Sequence, residues 1–202
     1  MRIRFAFKEN RRHWLTAAGP VQREAMHRLF VAIRPPAAIR TRLLDLMEGV
    51  RGARWQDEDQ LHLTLRFIGE VDRHQAEDIA AALGSIHHPC FEIALAGLGS
   101  FDRRGQATHL WAGVTPHEPL KALHHKIDQA LARAGVEPDH RAYLPHITLA
   151  RLNRSTGPID TLLASAGDLA GAPFAIDEFR LYESDLTANG AIHSVVERYL
   201  LD

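Results

Sequence analysis

A single cysteine, Cys90, stands in this 202-residue chain. One thiol cannot close an internal disulfide, so the simplest compartment is a reducing cytoplasm. No run of about 18 apolar residues exists, which excludes a transmembrane helix of ordinary length. The basic first 25 residues, "MRIRFAFKENRRHWLTAAGPVQREA", also lack the continuous apolar stretch of a signal peptide. Charge of one sign is missing too: 24 Lys and Arg offset 25 Asp and Glu, for a formal net charge of −1. A protein that coats nucleic acid through its overall field is thereby excluded, and any RNA contact has to be a local basic cleft. Linkers of Gly/Ser or Pro type are absent, which argues against two independent domains.

What is present is ordinary for a globular protein: 46% hydrophobic and 24% charged residues, enough for one cored domain or two lobes sharing a core. The 13 histidines are the one compositional oddity. Residues 1–25 show no clear period and are expected to form an extension outside the fold, for which a misplaced start site would account. Residues 26–202 then form a single bilobal domain. "RLFVAI" (28–33) reads as a buried strand, and Pro35-Pro36 opens a helix that Ile39, Leu43, Leu44, Leu46 and Met47 carry to about Gly49. A strand over 61–68 is broken by Gly69, and Asp72 caps a helix to about Leu83. "FEIALAGL" (91–98) and "THLWAGV" (108–114) form a hairpin with "FDRRGQ" as a long turn. Residues 118–135 carry the strongest helical period, with Leu120, Leu123, Ile127, Ala130, Leu131 and Ala134 inward. A strand at 146–151, a short helix over 159–166, and strands near 174–182 and 192–200 complete an α+β arrangement with a weak internal duplication.

Two short strings carry that duplication. "HLTLRFIGE" (62–70) and "HITLARL" (146–152) repeat His-x-Thr-Leu on predicted strands. Alternation places Leu61, Leu63, Leu65 and Phe67 toward a core, and His62, Thr64 and Arg66 the other way. The same parity pairs His146 with Thr148. If the halves pack about a pseudo-two-fold axis, the four polar groups converge on one groove. Two imidazoles of ordinary pKa, about 6.5, would there supply one acid and one base near neutral pH. Threonine hydroxyls and a nearby arginine suit the anionic oxygens of phosphoryl transfer.

These residues, with "RLFVAIRPP" near the start, resemble the two-histidine phosphoesterase superfamily, and within it the RNA 2',3'-cyclic phosphodiesterases, also called 2'-5' RNA ligases. The resemblance runs from about Met26 to the C-terminus. It implies a pair of antiparallel sheets flanked by helices around a central cleft. It also implies metal-free, cofactor-free hydrolysis of terminal 2',3'-cyclic phosphates on RNA, tRNA fragments among them, by a monomer. Carried over by position, His62 is the proton donor to the departing 3'-oxygen and His146 the proton acceptor that activates water. Thr64 and Thr148 hold non-bridging oxygens, and Arg151 contacts the phosphate. Strict alternation points Arg151 away from the groove, so a bulge, twist or long reach is needed.

Blander readings stand beside these. Tyr143, just before the second motif, either stacks on a base or packs in the core. Phe30 and Trp111 are assigned to the core. Arg103 and Arg104 read as a solvated turn, with a contact to RNA backbone as the alternative. His124 and His125 point about 100° apart on one helix, which is poor geometry for one metal. A two-histidine enzyme acting on small nucleotide cyclic phosphates or oligoadenylates is the enzymatic alternative. A non-catalytic RNA-end-binding protein and a metal-binding protein are the others.

Overall fold

In the computed structural model, residues 26–164, 169–188 and 190–202 are described, and the expectation for residues 1–25 falls outside them. The strands are β1 (His27–Ile33), β2 (Arg54–Trp55), β3 (Leu63–Val71), β4 (Phe91–Arg103), β5 (Gln106–Thr115), β6 (His146–Arg151), β7 (Phe174–Ile176), β8 (Glu178–Thr187) and β9 (Gly190–Leu200). They lie in the order β7-β4-β5-β6-β3-β1-β8-β9, with β2 added beside β6. Every pairing is antiparallel. The sheet curls into an open half-barrel. Four strands lie on each side of the β6–β3 junction, and there a single pair, Leu63 opposite Ile147, joins the halves. This α+β sheet is the bilobal, pseudo-two-fold arrangement that the repeat implied.

Helices cover one face. α1 (Ala37–Asp45) follows Pro35-Pro36 and ends earlier than its apolar residues suggested. α2 (Arg73–Leu83) starts where Asp72 accepts a hydrogen bond from the Gln75 amide at 2.8 Å. α3 (Glu118–Arg133) carries Pro119 in its first turn and buries Leu120, Leu123, Ile127, Ala130 and Leu131. These side chains meet those of β1, β3, β4, β5 and β6 in one large core. α4 (Asp160–Ala164) is a short surface helix. On the opposite, concave face Phe30, Ala32 and Tyr182 form a separate small cluster.

Three expectations change. The hairpin turn is tight: β4 runs on to Arg103, and only Arg104 and Gly105 turn, both with positive φ (57° and 76°). That backbone fits the twist of a two-residue hairpin, and Asp102 caps the Gly105 amide at 2.9 Å. Gly69 does not end the motif strand, because the chain bulges at Ile68 and continues to Val71. The stretch near 174–182 is two strands. β7 pairs with β4 in one lobe and, after Asp177, β8 pairs with β1 in the other. Periodicity cannot reveal such a crossing, since both pieces alternate alike.

Candidate active site

The register at the junction positions the repeated motifs. Leu63 and Ile147 are buried on the core side, so their neighbours project from the concave face. In an antiparallel pair this puts His62 opposite Thr148 and Thr64 opposite His146. The two histidines are diagonal neighbours, roughly 7–8 Å apart along the backbone of an ideal ladder and somewhat less at Cβ, a spacing suited to a phosphate between the rings. All four side chains are half-buried.

Each ring is held alike. His146 Nδ1 lies 2.7 Å from the Leu144 carbonyl oxygen, two residues upstream. A carbonyl only accepts, so Nδ1 carries the proton and Nε2 presents its lone pair to the groove. His62 makes the corresponding hydrogen bond to the backbone of Gln60, also two residues upstream. His62 then packs on Phe30 (ring centroids 5.0 Å) and Tyr182 (6.3 Å). His146 packs on Phe101 (4.9 Å) and Trp111 (6.0 Å). Trp111 lies over Gly99, where an added Cβ would come within 2.3 Å of the indole. Phe30 is buried, as assigned, and its ring also backs His62, whereas Trp111 is only half-buried and borders His146.

Burial sets the charge of the rings. Desolvation first, then repulsion from His193, holds the His62 pKa down at about 3. His146 is also lowered by desolvation, against the opposing pull of the Leu144 carbonyl. Burial strips water from each ring and so favours the neutral imidazole at both positions, a departure from the ordinary value near 6.5 on which the expectation of one acid and one base rested.

Two bulges explain the arginine. Along β6 the partners of β5 jump from Thr148 to Ala150, leaving Leu149 as an extra residue. Leu149 and Ala150 are consecutively buried, and Arg151 returns to the groove side, exposed. Its charge lowers the pKa values of His193 on β9 and His109 on β5, so the guanidinium reaches between the lobes. The parity objection is thus removed by one inserted residue. β3 carries the same device, skipping Leu65 between Thr64 and Arg66. There it inverts the expected facing: Arg66 is buried and Phe67 is 55% exposed. Phe67 occupies in one lobe the position Arg151 holds in the other, and its ring lies 5.9 Å from that of Phe30.

Arg66 is put to structural use. It donates to Asp128 of α3 at 2.6 Å and to the carbonyls of Phe67 and Glu137, fastening β3 to the helix and to the segment that leads into β6. Tyr143 on that segment is a correction. His124 stacks on its ring at 4.1 Å and 9°, and its hydroxyl is buried with no partner, so it packs against the core instead of presenting an open face for a base. Sequence reasoning missed His193, whose ring stands edge-on to His62 at 5.4 Å. Only the pairing of β9 beside β8 brings it there. Among the described residues no group of three or more His, Cys, Asp and Glu is arranged to hold a metal ion, and no helix is long and apolar enough to cross a membrane.

The family model described as the 2'-5' RNA ligase superfamily matches residues 28–188. This chain belongs to that superfamily. Among superfamily proteins, an RNA 2',3'-cyclic phosphodiesterase of Aeropyrum pernix is 33% identical over 143 residues, covering 69% of this chain and 81% of that protein. One of Thermotoga maritima is 29% identical over 84% of this chain and 92% of its own length. The solved structure of E. coli LigT with 3'-AMP aligns with a TM-score of 0.72 at 28% identity, covering 88% of this chain and 99% of that one.

Proposed function

We propose that this superfamily member hydrolyses terminal 2',3'-cyclic phosphates on RNA to 2'-phosphates, with His62 and His146 as acid and base. The observation that supports the reading is the junction register, in which two His-Thr pairs and Arg151 fall on the same side of the sheet. The names of the relatives support the substrate class. The fixed tautomer of His146 leaves Nε2 free to take a proton from water. That water attacks phosphorus in line as the P–O3' bond breaks, and His62 gives its proton to the departing 3'-oxygen. Thr64, Thr148 and Arg151 hold the non-bridging oxygens as charge builds on them, so neutralisation comes from the protein and no metal is required of the mechanism. With the 5'-hydroxyl of another strand in place of water, the same in-line displacement forms a P–O5' bond as P–O3' breaks, giving a 2'-5' linkage without ATP.

Alanine in place of either histidine tests the assignment: kcat is expected to fall by about 10²–10⁴ on an RNA oligonucleotide ending in a cyclic phosphate. Arg151→Ala should cost about 10²–10³. It should also raise the pKa values of His193 and His109, which its charge now depresses. Full activity in either histidine variant would remove the acid–base assignment.

A further inference from the structure

The register row that starts at the groove continues outward through charge. Thr64 on β3 lies opposite Ala32 on β1, Ala32 opposite Arg180 on β8, and Arg180 opposite Arg198 on β9. Directly paired residues project to one side of a sheet, so both arginines stand on the concave face. One and two strands beyond Ala32, they lie roughly 10 and 14 Å from Thr64. Here the sheet edge and the start of α1 border an open cavity of about 450 Å³.

Four guanidinium groups line that cavity, from Arg34, Arg40, Arg180 and Arg198, against two carboxylates, Asp177 and Glu178. Arg34 follows β1 directly and its charge acts on His62, which connects the cavity to the groove. Arg180 is paired with Glu178. The partners of Arg34 and Arg40, Asp59 and Glu58, are 86% and 53% exposed at their side chains, so solvent weakens both pairs. Arg198 is exposed and has no ion-pair partner among the described residues. Setting it directly opposite Arg180 costs stability, as like charges across a strand pair repel. Glu178 offsets the charge of Arg180 but no carboxylate among the described residues pairs with Arg198, whose charge a bound anion would neutralise.

Resting on the hydrolase reading above, we infer that this arginine-lined cavity is a second subsite, which holds an internucleotide phosphate of the RNA strand on the 5' side of the reacting end. The row from Thr64 to Arg198 then gives the path of the strand, with the terminal phosphate at the histidines and the preceding nucleotides running across β1 toward β8 and β9. A planar guanidinium suits a phosphodiester through paired donors. A nucleoside 2',3'-cyclic phosphate fills the groove but has no group to reach the cavity.

The test compares the intact enzyme on a trinucleotide ending in a 2',3'-cyclic phosphate and on the matching nucleoside 2',3'-cyclic phosphate, each over a range of salt concentrations. Wild type is expected to prefer the trinucleotide in kcat/KM and to show the steeper salt dependence with it. In Arg198→Gln the ratio between the two substrates should fall, and the trinucleotide's log–log salt slope should flatten by about 0.7, the value for one contact to a single strand. Arg198→Lys should restore the slope, which a general loss of structure would not allow. An unchanged ratio and slope in Arg198→Gln, or a wild type indifferent to the added nucleotides, would overturn the subsite alone. Turnover of neither substrate by wild type would instead overturn the hydrolase reading beneath it.

Discussion

The proton on His62 makes the sharpest test of the site. An ordinary imidazole, with a pKa of 6.5, is half protonated at that pH, but desolvation and His193 hold His62 at about 3. At pH 6.5 roughly one molecule in 3,000 of the free enzyme then carries the acid form. A phosphate monoanion about 4 Å from the ring is worth about 4 kcal/mol at an effective dielectric of 20. That is about three powers of ten in the protonation equilibrium, enough to bring the pKa back to about 6. The anion that needs the acid therefore supplies it. Nitrogen-detected NMR of labelled imidazoles, with His62 assigned through His62→Gln, reads this directly. In the free protein the ring should stay neutral from pH 8 to about 5, and with saturating inorganic phosphate it should titrate near 6. The optimum of kcat should accordingly lie to the alkaline side of that of kcat/KM, which reports the free enzyme. A His62 titrating near 6.5 in the free protein, or one unmoved by phosphate, would refute the reasoning. The same depression has a sign for stability. The unfolded chain takes this proton near 6.5 and the folded one refuses it down to about 3. Stability present above 6.5 is thus lost progressively as pH falls toward 3.

Two further substitutions probe the supports of the site. Arg66→Ala leaves Asp128 and the Phe67 and Glu137 carbonyls without their shared donor, and should lower the unfolding free energy by about 3 kcal/mol in urea titrations. A loss below about 1 kcal/mol would show that solvent replaces the guanidinium. Gly99→Ala drives a methyl group into the Trp111 indole, and a shift of that ring toward His146, 6.0 Å away, would displace the imidazole. Misplacing the base by about 1 Å should cost on the order of 10²-fold in kcat. Unchanged kinetics would mean that the indole yields toward Phe101 instead.

The legible parts of this protein are the local ones. Asp72 announced its helix because a carboxylate at that position meets a free amide, and the apolar faces of α2 and α3 follow from spacing alone. His62 and His146 could be singled out because the string around them repeats. Alternation then misplaced Phe67 and left Arg151 facing the wrong way, since a bulge is a property of two strands in register and one strand does not display it. Trp111 and His193 escaped for a related reason. An aromatic residue in a strand has the same pattern whether the face it lies on packs against helices or borders a groove. Tyr143 erred the other way: proximity in sequence to His146 said nothing about His124, which covers its ring from α3.

The paired bulges also give the two halves of a duplicated fold different side chains at one matching position, which under the proposed function would set the two ends of the reaction apart. Each motif strand skips the leucine after its threonine and so turns the third residue beyond it back to the concave face. Up to that point the halves match: a histidine fixed by the backbone two residues upstream, a threonine, and an aromatic pair beneath each ring. At the returned position they part. One lobe presents the charge of Arg151, suited to a phosphate oxygen, and the other the exposed ring of Phe67, which can hold only an apolar or flat group. A symmetric pair of phosphate ligands would bind the cyclic ester in two opposite orientations. In the proposed mechanism only one orientation sets the 3'-oxygen before His62 with water before His146. Replacing Phe67 with arginine should therefore admit the reversed pose and lower kcat without weakening binding, whereas a fall in affinity with kcat intact would show that Phe67 serves contact and not direction.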